Sequence, residues 1–231
     1  MEIIKRNLFT KLRADNFKTQ EVLEPMSAFK TRKMVCMMRN IADMPAGEVV
    51  LANPLLNMRL KHLQEKERLQ DTPSLETIYI LRIIVSNVNA TMNHGIPIRG
   101  IIQLGQYIRS RGPKVDYGKL NNWLSQLHIS RMAQLQGTIL VSCFGFTKEE
   151  LPFVKKTERQ AIPLMIRTIT NTEKDSQAWH FKQGKGGFVY NNSTLLRRNL
   201  RRSLRYYRYA PIEDISNFIR NFGRSLSEIE E

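Results

Sequence analysis

Cysteine is nearly absent: Cys36 and Cys143 are the two thiols in 231 residues. So few, so far apart, they exclude a disulfide framework and a Cys-x-x-Cys metal spacing. Both lie in apolar runs, "KMVCMM" and "ILVSCFGF", and each is expected to be a buried free thiol in a reducing compartment. Histidine is as scarce. His62, His94, His128 and His180 stand alone, with none of the i, i+4 pairing by which one helix face offers two imidazoles to a metal. No window approaches the ~18 uninterrupted apolar residues of a transmembrane helix. The opening "MEIIKRNLFTKLRADNF" has no apolar run of the secretory kind. A cytoplasmic protein is expected. Acidic residues are the last shortage, 21 against 36 basic, for a formal net charge of +15. Such a balance favours polyanions as partners and bears on association rather than on fold.

Catalytic spacings are missing too. "GKGGF" at 184–188 puts its lysine before the glycine pair, the reverse of the G-x-x-x-x-G-K-[ST] phosphate loop. It reads as a flexible loop in which Lys182 and Lys185 flank glycines that let backbone approach an anion. Glu149–Glu150 and Glu213–Asp214 fall at the starts of a turn and a helix, where the exposed N–H groups favour acids. The D-x-[DE] pair that would hold Mg²⁺ and a triphosphate does not occur. No catalytic residue, metal ligand or cofactor is assigned, and a non-catalytic role is favoured over enzymatic activity, which stays open.

Helical periodicity is abundant. Apolar content of 42% and charged content of 25% suit a globular chain. Residues 27–41 open on Ser27 as an N-cap. Residues 54–70 start with Pro54 in the first turn and align Leu56, Leu60 and Leu63 on one face, with Glu65, Lys66, Glu67 and Arg68 solvated. Residues 72–94 carry the stripe Leu75, Ile78, Leu81, Val85, Val88 and should form a central, buried helix. Further helices are expected over 98–112, where Gly100 and Gly105 suit close packing, and over 115–128, 130–146 and 157–170. "TILVSCF" at 138–144 would suit a strand in isolation. Met132, Leu135 and Ile139 keep it in helical register. The expected fold is therefore all-α, a single helical domain over 1–231. It has opening helices in 1–45, core helices in 54–170, and a polar, glycine-rich loop in 171–194 with room for a short hairpin near 181–191. A basic helix and a last amphipathic helix follow in 194–226.

The densest charge is in 174–211, with nine basic groups and one acidic. Within it, "LLRRNLRRSLRYYRYAP" (195–211) holds Leu196, Leu200, Leu204 and Tyr207 at helical spacing, a face expected to pack on the core. Arg197, Arg198, Arg201, Arg202, Arg205 and Arg208 fill the adjoining faces. Arginine forks suit phosphates, and neighbouring tyrosines suit base stacking. The other reading is a solvated helix whose arginines meet acids on its neighbours. In the helix after Pro211, Ile215, Phe218, Ile219 and Phe222 are expected to point inward.

Four segments in series resemble an uncharacterised bacterial nucleotidyltransferase family. They are "LANPLLNMRLKHLQ" (51–64), "HGIPIRGIIQLGQYIR" (94–109), "KVDYGKLNNWLSQLHISRMAQLQGTIL" (114–140) and "LRRSLRYYRYAPIEDI" (200–215). "EPMSAFKTRKMVCMM" (24–38) is similar to that family's opening helices. The family's transferase core, with its glycine–serine turn and paired carboxylates, lies between those helices and the Asn-Pro helix. In this chain only "ADMPAGEVVLA" (42–52) fills that place, so no catalytic residue carries over. The resemblance implies a helical remnant or companion of such an enzyme. Three functions follow as expectations. The first is a non-catalytic binding or scaffold protein with a protein partner. The second is a nucleic-acid binder using the six arginines with Lys182 and Lys185. The third is a divergent nucleotidyltransferase.

Overall fold

The structure, a computed structural model, describes the backbone of residues 2–170, 182–183, 189–190 and 193–227 and the side chains of 2–170 and 200–223. Its helices are α1 (Glu2–Phe17), α2 (Ala28–Asp43), α3 (Pro54–Arg68), α4 (Leu75–His94), α5 (Ile98–Arg111), α6 (Tyr117–Gln126), α7 (Ser130–Phe144), α8 (Ala161–Thr170), α9 (Ser193–Tyr206) and α10 (Pro211–Ser227), with a 3₁₀ turn at Gly112–Lys114. The fold is all-α. The strands among the described residues are two-residue pieces, β1 (Lys182–Gln183) and β2 (Val189–Tyr190), paired antiparallel. Most of the loop expected over 171–194, Lys185 included, lies outside the described residues.

The helix ends follow the local chemistry of the sequence. Ser27 Oγ accepts the Lys30 N–H at 3.5 Å to start α2. Asn53 Oδ1 accepts the Leu56 N–H at 3.0 Å to start α3, with Pro54 in the first turn. Each side-chain oxygen replaces an acceptor that the first turn of a helix lacks. Thr147 and Glu150 cap each other's amides reciprocally, Glu150 Oε2 accepting at 2.8 Å and Thr147 Oγ1 at 3.4 Å, as in a capping box. α7 is helical through the β-branched run and stops at Gly145, whose φ of +68° lies in the left-handed region.

α4 is the axis of the fold. It packs against α3, α5, α6, α7 and α10, and Ile80, Leu81, Ile84, Val85 and Val88 are wholly buried. Leu75, expected in its stripe, is exposed because it is the first helical residue and precedes the core contact. Two polar side chains enter the core as a satisfied pair. Asn87 Nδ2 donates to Gln136 Oε1 at 2.9 Å, and Gln136 Nε2 donates to the Ile84 carbonyl at 3.3 Å. Such a pair is tolerated inside because its polar atoms stay hydrogen-bonded. A Cβ at Gly100 would collide with Asn87 Oδ1, and one at Gly105 would lie 2.8 Å from Leu140 Cδ2. These two glycines bring α5 close to α4 and α7, as their sequence context suggested.

Two buried-or-exposed expectations are corrected. Cys36 is exposed, because Met34, Met37 and Ile41 form the inner face of α2 and leave residue 36 on the other side. Cys143 is buried, and burial pushes its thiol up to about 12. Glu67, expected among solvated neighbours, is buried. It accepts the Ser74 N–H at 2.9 Å and the Lys119 ammonium at 2.8 Å. Burial alone would raise its carboxyl, but these donors outweigh it and hold the carboxyl below its ordinary value.

The segment 44–53 is an extended strap along α4. Ser86 Oγ donates to the Gly47 carbonyl at 2.5 Å. Asn89 accepts the Glu48 N–H at 3.2 Å and donates to the Val50 carbonyl at 3.3 Å. The strap lies so near the helix that a Cβ at Gly47 would meet the Ser86 carbonyl and stand 2.6 Å from the Ala90 nitrogen. Backbone cannot yield as a side-chain tip can. Gly47→Ala should therefore cost about 2 kcal/mol in urea unfolding, within the range for overpacking, and a loss under about 0.5 kcal/mol would contradict this close approach.

Candidate functional site

The last two helices dock on the body by polar contacts to helix ends. α3 begins at Asn53, and the amides just before and at its cap point outward with no intrahelical acceptor. Glu213, in the first turn of α10, supplies one. Its carboxylate accepts the Ala52 N–H at 2.6 Å and the Asn53 N–H at 3.1 Å. Asn53, whose oxygen caps α3, donates its amide to Ser216 Oγ at 3.0 Å. At the other pole, the last carbonyls of α4 need donors. Arg202 Nη2 donates to the Met92 carbonyl at 2.7 Å, and Asn217 Nδ2 reaches the same oxygen at 3.4 Å. Asn221 Nδ2 donates to Asn93 Oδ1 at 3.3 Å. An acid at a helix start and a cation at a helix end both match the sign of the helix dipole.

The turn between α9 and α10 is the apolar anchor. Tyr206, Tyr209 and Ala210 are buried. The Arg131 guanidinium lies 5.2 Å from the Tyr209 ring centre, donates to the Arg208 carbonyl at 3.2 Å and pairs with Glu158 at 2.8 Å and 3.1 Å. Within the hairpin, Ser203 Oγ donates to Asp214 Oδ2 at 2.5 Å. Burial raises the carboxyl of Glu213, with the Ala52 and Asn53 amides offsetting part of it. Burial likewise pushes Asp214 up to about 6 against the opposing pull of Ser203 and Arg202. Burial and the nearby Arg202 charge hold His94 below its ordinary value.

This docking reverses the expected orientation. Leu200, Leu204 and Tyr207, expected on the core, are 47%, 62% and 46% exposed; Ile215 and Ile219, expected inward, are 47% and 62% exposed. Ile212 is exposed as well, while Phe218 and Phe222 are half-buried. The helix ends beneath the hairpin present backbone polar groups, which leucine and isoleucine cannot satisfy. The arginine, acids and asparagine on the opposite faces can, so those faces turn inward. The signal in the sequence was that Glu213, Asp214 and Asn217 share one face of α10.

The candidate contact residues separate accordingly. Arg201 and Arg208 are exposed, and Arg205 is half-buried. Arg202 is committed to the end of α4. Arg197 and Arg198 lie in α9 and Lys182 in β1, with side chains outside the described residues, as is Lys185 altogether. Of the three tyrosines offered for base stacking, only Tyr207 faces solvent. Among the described residues, no cluster of three or more His, Cys, Asp or Glu side chains could hold a metal ion, and no helix is long and apolar enough to cross a membrane. No family model, curated protein or solved structure matches this chain.

Asp214 gives the hairpin a pH-dependent contribution to stability. Its folded pKa of about 6 exceeds the ordinary aspartate value near 3.9. The folded state therefore holds a proton that the unfolded state releases, and this group's stabilising contribution, complete below about pH 4, is lost as pH rises through about 6. Asp214→Asn keeps an acceptor for Ser203 and removes the titration. The variant should gain stability relative to the parent between pH 4 and 7 in thermal melts, and parallel profiles would contradict the raised carboxyl.

Proposed function

We propose that this chain is a helical binding or scaffold protein whose α9–α10 hairpin is its docking surface for another protein. One observation carries this: a hairpin held firmly at its inner side presents Leu200, Leu204, Tyr207, Ile212, Ile215 and Ile219 to solvent. Single exposed apolar residues are ordinary, whereas stripes of them on a well-anchored element mark interaction sites. The resemblance to the helical part of a nucleotidyltransferase family supports a companion role, with a transferase-like protein among the partners to test.

A second reading, phosphate binding, has its own observation. Glu213 and Asp214 turn inward and leave Arg201 and Arg208 on the outer side. On α2, the exposed Arg32 and Arg39 border a depression of about 300 Å³. Together with Lys30 and Lys33 they form no ion pair among the described residues. Phosphate contacts weaken steeply with salt, whereas apolar docking does not.

Leu204→Asp with Ile219→Asp separates the two. Both positions face solvent, so the melting temperature should stay within about 2 °C, as surface changes usually allow. Quantitative cross-linking in cell extract should lose the protein partners of the parent. Unchanged cross-links would contradict docking at the hairpin. Retained binding to single-stranded RNA that collapses with salt would favour the phosphate reading instead.

A further inference from the structure

We infer that the partner element received by the hairpin is an acidic amphipathic helix, lying along α9. This rests on the docking-surface reading above and adds the chemistry of the occupant. On α9 the exposed Leu200, Leu204 and Tyr207 follow i, i+4, i+7, a straight apolar stripe one helix face wide. Arg201, exposed, lies about 100° further round the helix from Leu200 at 100° per residue, and the exposed Arg208 follows in the turn just past the end of α9. Across the turn, Arg220 is exposed on α10, where Ile212, Ile215 and Ile219 form a second stripe. Between 200 and 223 the chain has two carboxylates, Glu213 and Asp214, and both are buried, 2% and 4% exposed. Among the described residues of the hairpin, the outward surface therefore offers apolar stripes and guanidinium groups with no exposed carboxylate.

Such a surface selects its occupant by subtraction. A second copy of the chain would bring these arginines against their own kind, in a molecule carrying a formal net charge of +15. Like charges facing each other suppress that pairing. A nucleic-acid strand would satisfy the arginines and leave the leucines in water. A neutral or basic helix would cover the leucines and leave the arginines unmatched or opposed. A helix with leucine-type residues at i, i+3, i+4 and i+7 and aspartate or glutamate beside them satisfies both. Its carboxylates pair with guanidinium forks, which accept them in a fixed two-pronged geometry.

The experiment uses the full chain and three synthetic helical peptides of about 18 residues, five turns. One carries the leucine stripe flanked by glutamates, one the same stripe flanked by lysines, and one the glutamate composition in scrambled order. Fluorescence anisotropy should show the glutamate peptide binding at least about tenfold more tightly than either of the others, the scale that rim charges and a lost apolar stripe reach. Leu204→Asp should abolish that binding, and R201E with R208E should reverse the preference toward the lysine peptide while the melting curve stays unchanged. Equal binding of glutamate and lysine peptides, both lost in Leu204→Asp, would overturn the acidic specificity and leave a protein-docking hairpin intact. Binding of either peptide that ignores Leu204→Asp would overturn the hairpin as docking surface as well. Failure of all three peptides would also overturn the inference. So would a concentration-dependent dimer of the free chain that Leu204→Asp dissolves.

Discussion

One buried carboxylate decides which way the end of this protein faces. Glu213 lies in the first turn of α10 and accepts two amides at the start of α3. An anion at that point meets the positive end of α3, and the two amides it accepts offset part of the cost of burying it. The contact joins residues 160 and 161 apart in sequence. Once it forms, the face of α10 bearing Asn217 must lie on the body, and the face bearing Ile215 and Ile219 must lie away from it. α9 follows through the Ser203–Asp214 hydrogen bond and the buried Tyr206 and Tyr209. The strap over 44–53, pinned to α4 by Ser86 and Asn89, places the two amides where Glu213 can reach them.

The two kinds of contact divide the labour. Apolar burial around α4 supplies the cohesion, as in any helical core. Polar contacts at the hairpin supply orientation, because hydrogen bonds to helix ends are directional and apolar contacts are not. Arg202 and Asn217 converge on the Met92 carbonyl, one of the four at a helix end that no later amide serves. Leucines in both places would bury that oxygen without a donor, at about 1–3 kcal/mol. The exposed stripes are therefore the consequence of a surface beneath them that is made of helix ends, and a partner is what would give the leucines and isoleucines their apolar neighbours.

Much of the architecture was legible in the sequence. The cap at Ser27, Pro54 in the first turn of α3, the central helix, the close-packing glycines of α5 and the helical character of α7 all follow from spacing and local chemistry. What spacing could not supply was the sign of a face. Leu200, Leu204 and Tyr207 share one side of α9 whether that side is inward or outward, and periodicity is the same in both cases. Apolar faces turn inward when helix sides meet helix sides. Here helix sides meet helix ends, a tertiary fact carried by contacts more than 100 residues apart. Glu67 shows the same limit on a smaller scale, since its partner Lys119 is 52 residues away. Cys36 failed for a simpler reason: methionines at 34 and 37 took the inner face of α2, and an apolar run on a helix surrounds it on all sides.

The central claim is that Glu213 clamps the hairpin to the start of α3, and hydrogen–deuterium exchange of Glu213→Ala beside the parent tests it most directly. Removing the carboxylate leaves two part-buried amides without an acceptor. Exchange should quicken in 50–57 and in α9 and α10, while α4 and α7 keep the parent's protection. Unchanged protection in α9 and α10, or an equal loss across all helices, would contradict the clamp.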